Sequence, residues 1–135
     1  RELNPAEVKD AFFEYFANVV QPLEVVSYEL EQEAGQRGTV RCRAEVLFEE
    51  ERRAIAGIGN GPINAFVHAL EEDGRKDFAL TDYRSHALRD GSSSDAAAYV
   101  QLKRDDGLLV WGAGIDPSIE MAGLKALVSA WNLLR

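Results

Sequence analysis

Two copies of one short pattern constrain this chain more than anything else in it. Gly57, Gly59 and Pro62 recur as Gly112, Gly114 and Pro117, at identical spacing and 55 positions later. In each copy an alternating run leads into the glycines, and apolar residues at helical period follow the proline. Glycines at alternate positions, with Gly61 as a third in the first copy, allow positive φ and the close approach of another backbone or a ligand. Pro62 suits a first helical position, where its missing N–H costs nothing. Ile63, Phe66, Val67 and Leu70 then mark one helical face. The pattern reads as a strand-to-helix turn used twice.

The segments between fit the same plan. Asn4-Pro5 reads as N-cap and first helical residue, with Glu7 in the first turn. Val8, Phe12, Phe16 and Val19 or Val20 share a face, which predicts an amphipathic helix over 5–19 that Pro22 ends. Val26, Tyr28 and Leu30 alternate with polar residues, and Val40, Cys42, Ala44, Val46 and Phe48 alternate with Thr39, Arg41, Arg43 and Glu45. Period two with one polar face means antiparallel sheet with one side wet. A charged turn at Glu49–Glu51, a strand over 53–58 and a helix closing near Gly74 complete a first unit.

The second unit takes a strand over 78–88, a polar loop over 89–94 and a strand over 96–103. Asp105-Asp106-Gly107 is a hairpin turn signal. A strand over 108–115 then reaches the second Gly-x-Gly, with Asp116 as cap and Pro117 opening a helix faced by Leu124, Leu127, Val128, Trp131 and Leu134. The fold class is α+β: an N-terminal linker helix, then two pseudo-symmetric βββα units with antiparallel strands, about 23–74 and 77–134.

Composition narrows the function classes. The 135 residues make one domain with 46% apolar content, which argues against disorder. A net charge of −8, with the acids spread out, disfavours nucleic acid and anionic membrane surfaces as partners. The single Cys42 excludes an internal disulfide framework and fits a reducing, cytoplasmic setting. No apolar run approaches membrane-spanning length. The first residue is Arg1 rather than Met, so the chain is expected to be a piece of a longer protein.

Residue chemistry shows no catalytic constellation. Gly57-x-Gly59-x-Gly61 lacks the spacing and the βαβ setting of a dinucleotide fingerprint. Ser85 and His86 are strand neighbours on opposite faces, so they cannot pair in a triad with Asp82. His68 and His86 have no metal-ligand spacing to each other or to Cys42, and His68 is expected at the surface or an interface. Arg41 and Arg43 belong to a wet sheet face, and Trp111 and Trp131 to core or interface. These readings leave a binding or interaction domain rather than an enzyme.

Five motifs in order carry a specific resemblance. They are Gly59-Asn60-Gly61-Pro62-Ile63-Asn64-Ala65-Phe66, Asp82-Tyr83-Arg84-Ser85-His86-Ala87, the Gly91–Ala98 segment, Trp111-Gly112-Ala113-Gly114-Ile115-Asp116-Pro117-Ser118-Ile119 and Leu124–Asn132. Together they resemble the C-terminal regulatory domain of 2-isopropylmalate synthase over nearly the whole chain. The resemblance implies two βββα units over residues 21–135, residues 1–20 being the end of a connecting region. It also implies a homodimer that binds leucine at its interface, for feedback inhibition of leucine biosynthesis. The implied leucine site is Gly59, Gly61 and Ile63 from the first strand-to-helix turn, Leu80, Tyr83 and Ala87 from the fourth strand, Ser94 from the loop after it, and Ile119 from the last helix. No cofactor is implied for this domain. The divalent metal and the condensation of acetyl-CoA with 2-oxoisovalerate belong to a separate catalytic barrel. The related citramalate synthases share the domain, which keeps isoleucine open as the effector, and a dimerisation module without a working ligand site is a further alternative. Ser94 departs from the family pattern, which has a small apolar residue there within a more acidic loop.

Overall fold

Alternating apolar residues become paired strands, and the two glycine turns become the points where each sheet hands over to its helix. The computed structural model describes residues 17–32, 38–90 and 93–135. Among these the first unit comprises β1 (Leu23–Gln32), β2 (Val40–Phe48), β3 (Glu51–Gly59) and α1 (Pro62–Glu72). The second comprises β4 (Phe78–Asp90), β5 (Ser93–Arg104), β6 (Leu109–Asp116) and α2 (Ile119–Leu133). The sheets run β1-β2-β3 and β4-β5-β6, antiparallel throughout. The fold is therefore α+β with the βββα unit used twice.

The repeat goes deeper than the glycines. A register shift falls at Val26 in β1 and at Thr81 in β4, and tyrosine follows two residues later in both strands. The two tyrosines reach across to the other unit's helix. Tyr28 Oη lies 3.2 Å from Ser118 Oγ at the start of α2. Tyr83 and Ile63, from the start of α1, converge on Gly123, where a built Cβ would meet both side chains.

The glycines act by letting backbones close up. None of Gly57, Gly59, Gly112 and Gly114 has positive φ, and Gly61 is extended at φ −176°. A Cβ on Gly112 would sit 2.3 Å from Ala130 N, and one on Gly57 would sit 2.3 Å from Ala69 N. Strand glycines thus bed on helix alanines, Ala65 and Ala69 in α1 and Ala122, Ala126 and Ala130 in α2. The expectation of positive φ at these turns is corrected: close packing, not conformational freedom, selects glycine there.

Buried Cys42, Ala44, Val46, Val100 and Leu102 from the sheets meet Phe66, Leu70, Leu124 and Leu127 from the helices in one core. Helix α2 is the centre of it. It packs against β5 and β6 on one side and β1 and α1 on the other, so ten of its residues are buried rather than a single stripe. Trp131 is buried and meets Phe48 edge-on at 6.0 Å. Trp111 is exposed on the other face of the second sheet.

Local endings depart from the expectations in four places, the first being the turn expected over 49–51, which is Glu49-Glu50 alone because Glu51 already pairs with Phe48 and opens β3. The N-terminal helix over 5–19 falls mainly on residues 1–16, outside the described residues, and Ala17–Val19 are not helical. Asn18 has φ 51°, its side chain pairs with the backbone of Ile115, and Ala17 bridges to Ala113. Hydrogen bonds offered by the edge of β6 outcompete a last helical turn. The polar loop over 89–94 is shorter than expected, because β4 extends to Asp90 and β5 begins at Ser93. The cap of α2 is Ser118, whose Oγ accepts from Met121 N at 3.2 Å. Asp116 stays in β6 and accepts from Ser118 N, and Pro117 precedes the cap. By contrast Gly74 ends α1 as expected, at φ 91° and with Arg75 N bonded back to Leu70 O, a Schellman closure.

The β2–β3 hairpin offers a stability test. Phe48 pairs with Glu51, so Glu49-Glu50 is a two-residue loop, and both have positive φ, 50° and 71°. That is the type I′ conformation, which favours Asn-Gly and penalises a Cβ-bearing pair. Glu49→Asn combined with Glu50→Gly is expected to raise stability by about 1 kcal/mol. A higher urea midpoint with an unchanged denaturant slope checks it.

Candidate functional site

The start of α1 is an open helix end. Gly61 caps it without a side chain, no acidic residue lies in the first turn, and Pro62 removes one N–H. Its remaining free N–H groups and the positive end of the helix dipole stay available to a carboxylate. The start of α2 differs on each count. Ser118 caps it, and Glu120 lies in its first turn. Asn64 Oδ1 accepts from Asn60 N at 2.9 Å and stiffens the turn leading into α1.

Between these two helix starts lies a depression of about 390 Å³. Ile63, Leu80, Tyr83 and Ile119, with Pro62, give it an apolar lining, and Asn60, Gly61, Asn64 and Glu120 add polar groups. The wall suits a branched aliphatic side chain, the α1 terminus an anion, and the Glu120 carboxylate a cation. A zwitterion with an aliphatic side chain matches all three.

The structure thus brings Gly61, Ile63, Leu80, Tyr83 and Ile119 of the expected set around one depression. Gly59 stands behind it. A Cβ there would lie 2.3 Å from Asn64 Oδ1 and 2.5 Å from Ala65 N, so this glycine lets α1 start close to the sheet instead of lining the cavity. Ala87 lies further along β4, exposed, opposite Ala96. Ser94 is not in a loop but in β5, opposite Arg89. Sequence reasoning missed Glu120, Asn60, Asn64 and Pro62 as lining residues. The one signal for Glu120 was an acid directly after Ile119.

The wall is unfinished. Ile119 is 50% exposed and Tyr83 38%, large apolar side chains left partly in water. Tyr83, Ser85 and Ala87 pair with inward-facing Val100, Ala98 and Ala96, so they share the inner face of the sheet, yet all three are exposed. Larger depressions lie elsewhere, one of about 690 Å³ lined by Arg41, Arg43, His68 and Glu72 among others. That one mixes these charged side chains with Ala56 and Ile58, and no helix start borders it.

The other candidates separate as chemistry requires. His86 stacks on Tyr99 at 5.6 Å on the outer face, whereas Ser85 lies on the inner face. His68 is exposed and contacts Ile58 O and Glu71. Cys42 is fully buried, and burial pushes its thiol up to about 11, which removes its nucleophilicity near neutral pH. Among the described residues no three His, Cys, Asp or Glu side chains are grouped to hold a metal ion, and no helix is long and apolar enough to cross a membrane.

Two βββα units with an open, apolar pocket at the junction of their helix starts define the class of domain. The chain belongs to the LeuA allosteric (dimerisation) domain family, whose model matches residues 2–135. It is 40% identical over 131 residues to the 2-isopropylmalate synthase of Mycobacterium leprae (strain TN), covering 97% of this chain and 21% of that protein. Identity to the 2-isopropylmalate synthase of Mycobacterium ulcerans (strain Agy99) is 43%, over 97% of this chain and 23% of the relative. The Schizosaccharomyces pombe enzyme of the same name is 32% identical over 134 residues. The chain therefore spans little more than a fifth of the length of these relatives.

Proposed function

We propose that this chain is the effector-sensing part of a 2-isopropylmalate synthase, binding leucine for feedback inhibition. Residues 21–135 form the sensor, and residues 1–20 end the region connecting it to a catalytic part. One observation carries the reading: an aliphatic wall, a helix start without a side-chain cap and an acidic residue border one depression of about 390 Å³. The isobutyl group lies against Ile63, Leu80, Tyr83 and Ile119, the carboxylate meets the start of α1, and the ammonium meets Glu120. The exposed inner face of Tyr83, Ser85 and Ala87 supports a second copy of the chain as the missing wall, so the ligand lies at a homodimer interface. Binding that favours one arrangement of the parent dimer by about 1–3 kcal/mol suffices for inhibition.

Calorimetric titration with leucine, isoleucine and valine tests this. Leucine-selective binding between micromolar and millimolar, about −8 to −4 kcal/mol, is expected. Isoleucine selectivity would reassign the sensor to a citramalate synthase, and silence with all three would leave a dimerisation module. Ile119→Asp is expected to weaken leucine binding about 30-fold or more, since it sets a charge against the ligand's side chain and carboxylate. An acid at a helix start is favourable, so the fold survives the change.

A further inference from the structure

Helix α2 touches the candidate pocket at one end and holds the incoming chain at the other. Ile119 and Glu120, at its start, line the pocket. Near its end Ser129 and Asn132 are the buried polar residues of the described chain. Both turn their side chains to the chain entering the sheet, at Val19 ahead of β1 and at Leu23, its first residue. Val19 N donates to Ser129 Oγ at 2.7 Å, and Leu23 N donates to Asn132 Oδ1 at 2.9 Å. Asn132 Nδ2 donates to Val19 O and Leu23 O, both at 2.8 Å. The same segment is tied to β6, where Asn18 N donates to Ala113 O and Asn18 Oδ1 accepts from Ile115 N, each at 2.9 Å.

The helix between these ends has no slack. Cβ atoms built on Gly112 and Gly114 would lie 2.3 Å and 2.2 Å from its backbone. One built on its own Gly123 would lie 2.8 Å from Ile63 Cδ1 and 3.1 Å from Tyr83 Oη, so pocket side chains press on it directly. A close-packed element passes a displacement on rather than absorbing it.

We infer that α2 is the coupling rod between the pocket and segment 18–23, with Ser129 and Asn132 as positioning residues at its output end. This rests on the leucine reading of the pocket. Occupancy next to Ile63, Tyr83 and Ile119 tightens α2, and the chain entering the domain is gripped accordingly.

Amide hydrogen exchange of the 135-residue chain, resolved at Val19 and Leu23, tests the inference with and without saturating leucine. Both amides are expected to exchange about fivefold or more slowly with leucine bound. Ser129→Ala removes the acceptor for Val19. It should abolish the response there, keep it at Leu23 and leave leucine affinity within about twofold. Unchanged rates at both amides, while calorimetry shows leucine bound, would overturn the coupling and leave the pocket reading intact. A response at Val19 that survives Ser129→Ala would overturn the role given to Ser129. Absence of leucine binding would overturn both readings.

Discussion

Gly112→Ala is expected to destabilise the domain by about 3 kcal/mol, read as a lower denaturant midpoint. The added Cβ would sit 2.3 Å from Ala130 N, 2.6 Å from Ala126 O and 2.7 Å from Ala130 Cα. All three are backbone atoms of a helix packed on its far side against β1 and α1. No side-chain rotation relieves the clash, so α2 must lift from β6 and open the core around Leu124 and Leu127. Gly61→Ala is the control. Its φ is extended and a Cβ there meets nothing within 4 Å, so only the N-cap preference for glycine over alanine is lost and the change should stay within about 1 kcal/mol. A loss at Gly112 no larger than at Gly61 would refute the claim that close packing selects these glycines.

That contrast also shows what was legible in the sequence. The alternation from Val40 to Phe48 gives β2 at its true ends, because one face is wet and period two survives intact. Two glycine turns at one spacing gave the duplicated unit. The bulges at Val26 and Thr81 were not legible, since each displaces only one residue from the alternation. The tip of the β4–β5 hairpin is not legible because Arg89–Ser94 is polar, although polar residues pair as well as apolar ones at the tip of a sheet. At the pocket, Ile63, Leu80, Tyr83 and Ile119 came from the family resemblance and met around one cavity. Glu120 did not, because which residues border the cavity depends on where two distant helix starts converge. Helical periodicity hid Ser129 and Asn132 entirely. In a helix buried on both sides, a polar residue holding a backbone segment has the same spacing as one facing solvent.

Asn132→Leu should cost about 3 kcal/mol or more, despite the similar size of the two side chains. The asparagine makes one bond as acceptor and two as donor to the backbone of Val19 and Leu23. Leu23 is fully buried, so water cannot replace its two bonds without opening the junction, whereas the bond to Val19 O is half-buried. Leaving one buried N–H and two carbonyls unpartnered costs about 1–3 kcal/mol per group, less whatever relaxation recovers. Asn132→Asp separates hydrogen bonding from packing. Its carboxyl can still accept from Leu23 N, but a second oxygen then faces the two carbonyls, unless it is protonated and donates. Burial and those carbonyls favour the neutral acid, so the folded-state pKa lies above the unfolded value of about 3.9. The folded form then binds more protons than the unfolded one, and stability falls as pH rises through the folded-state pKa. The deficit of this variant against the natural chain should therefore be small near pH 4 and widen toward pH 7. An equal deficit at both pH values would mean that Asn132 acts by shape alone. A widening deficit identifies its amide donors as what holds the entering chain to α2.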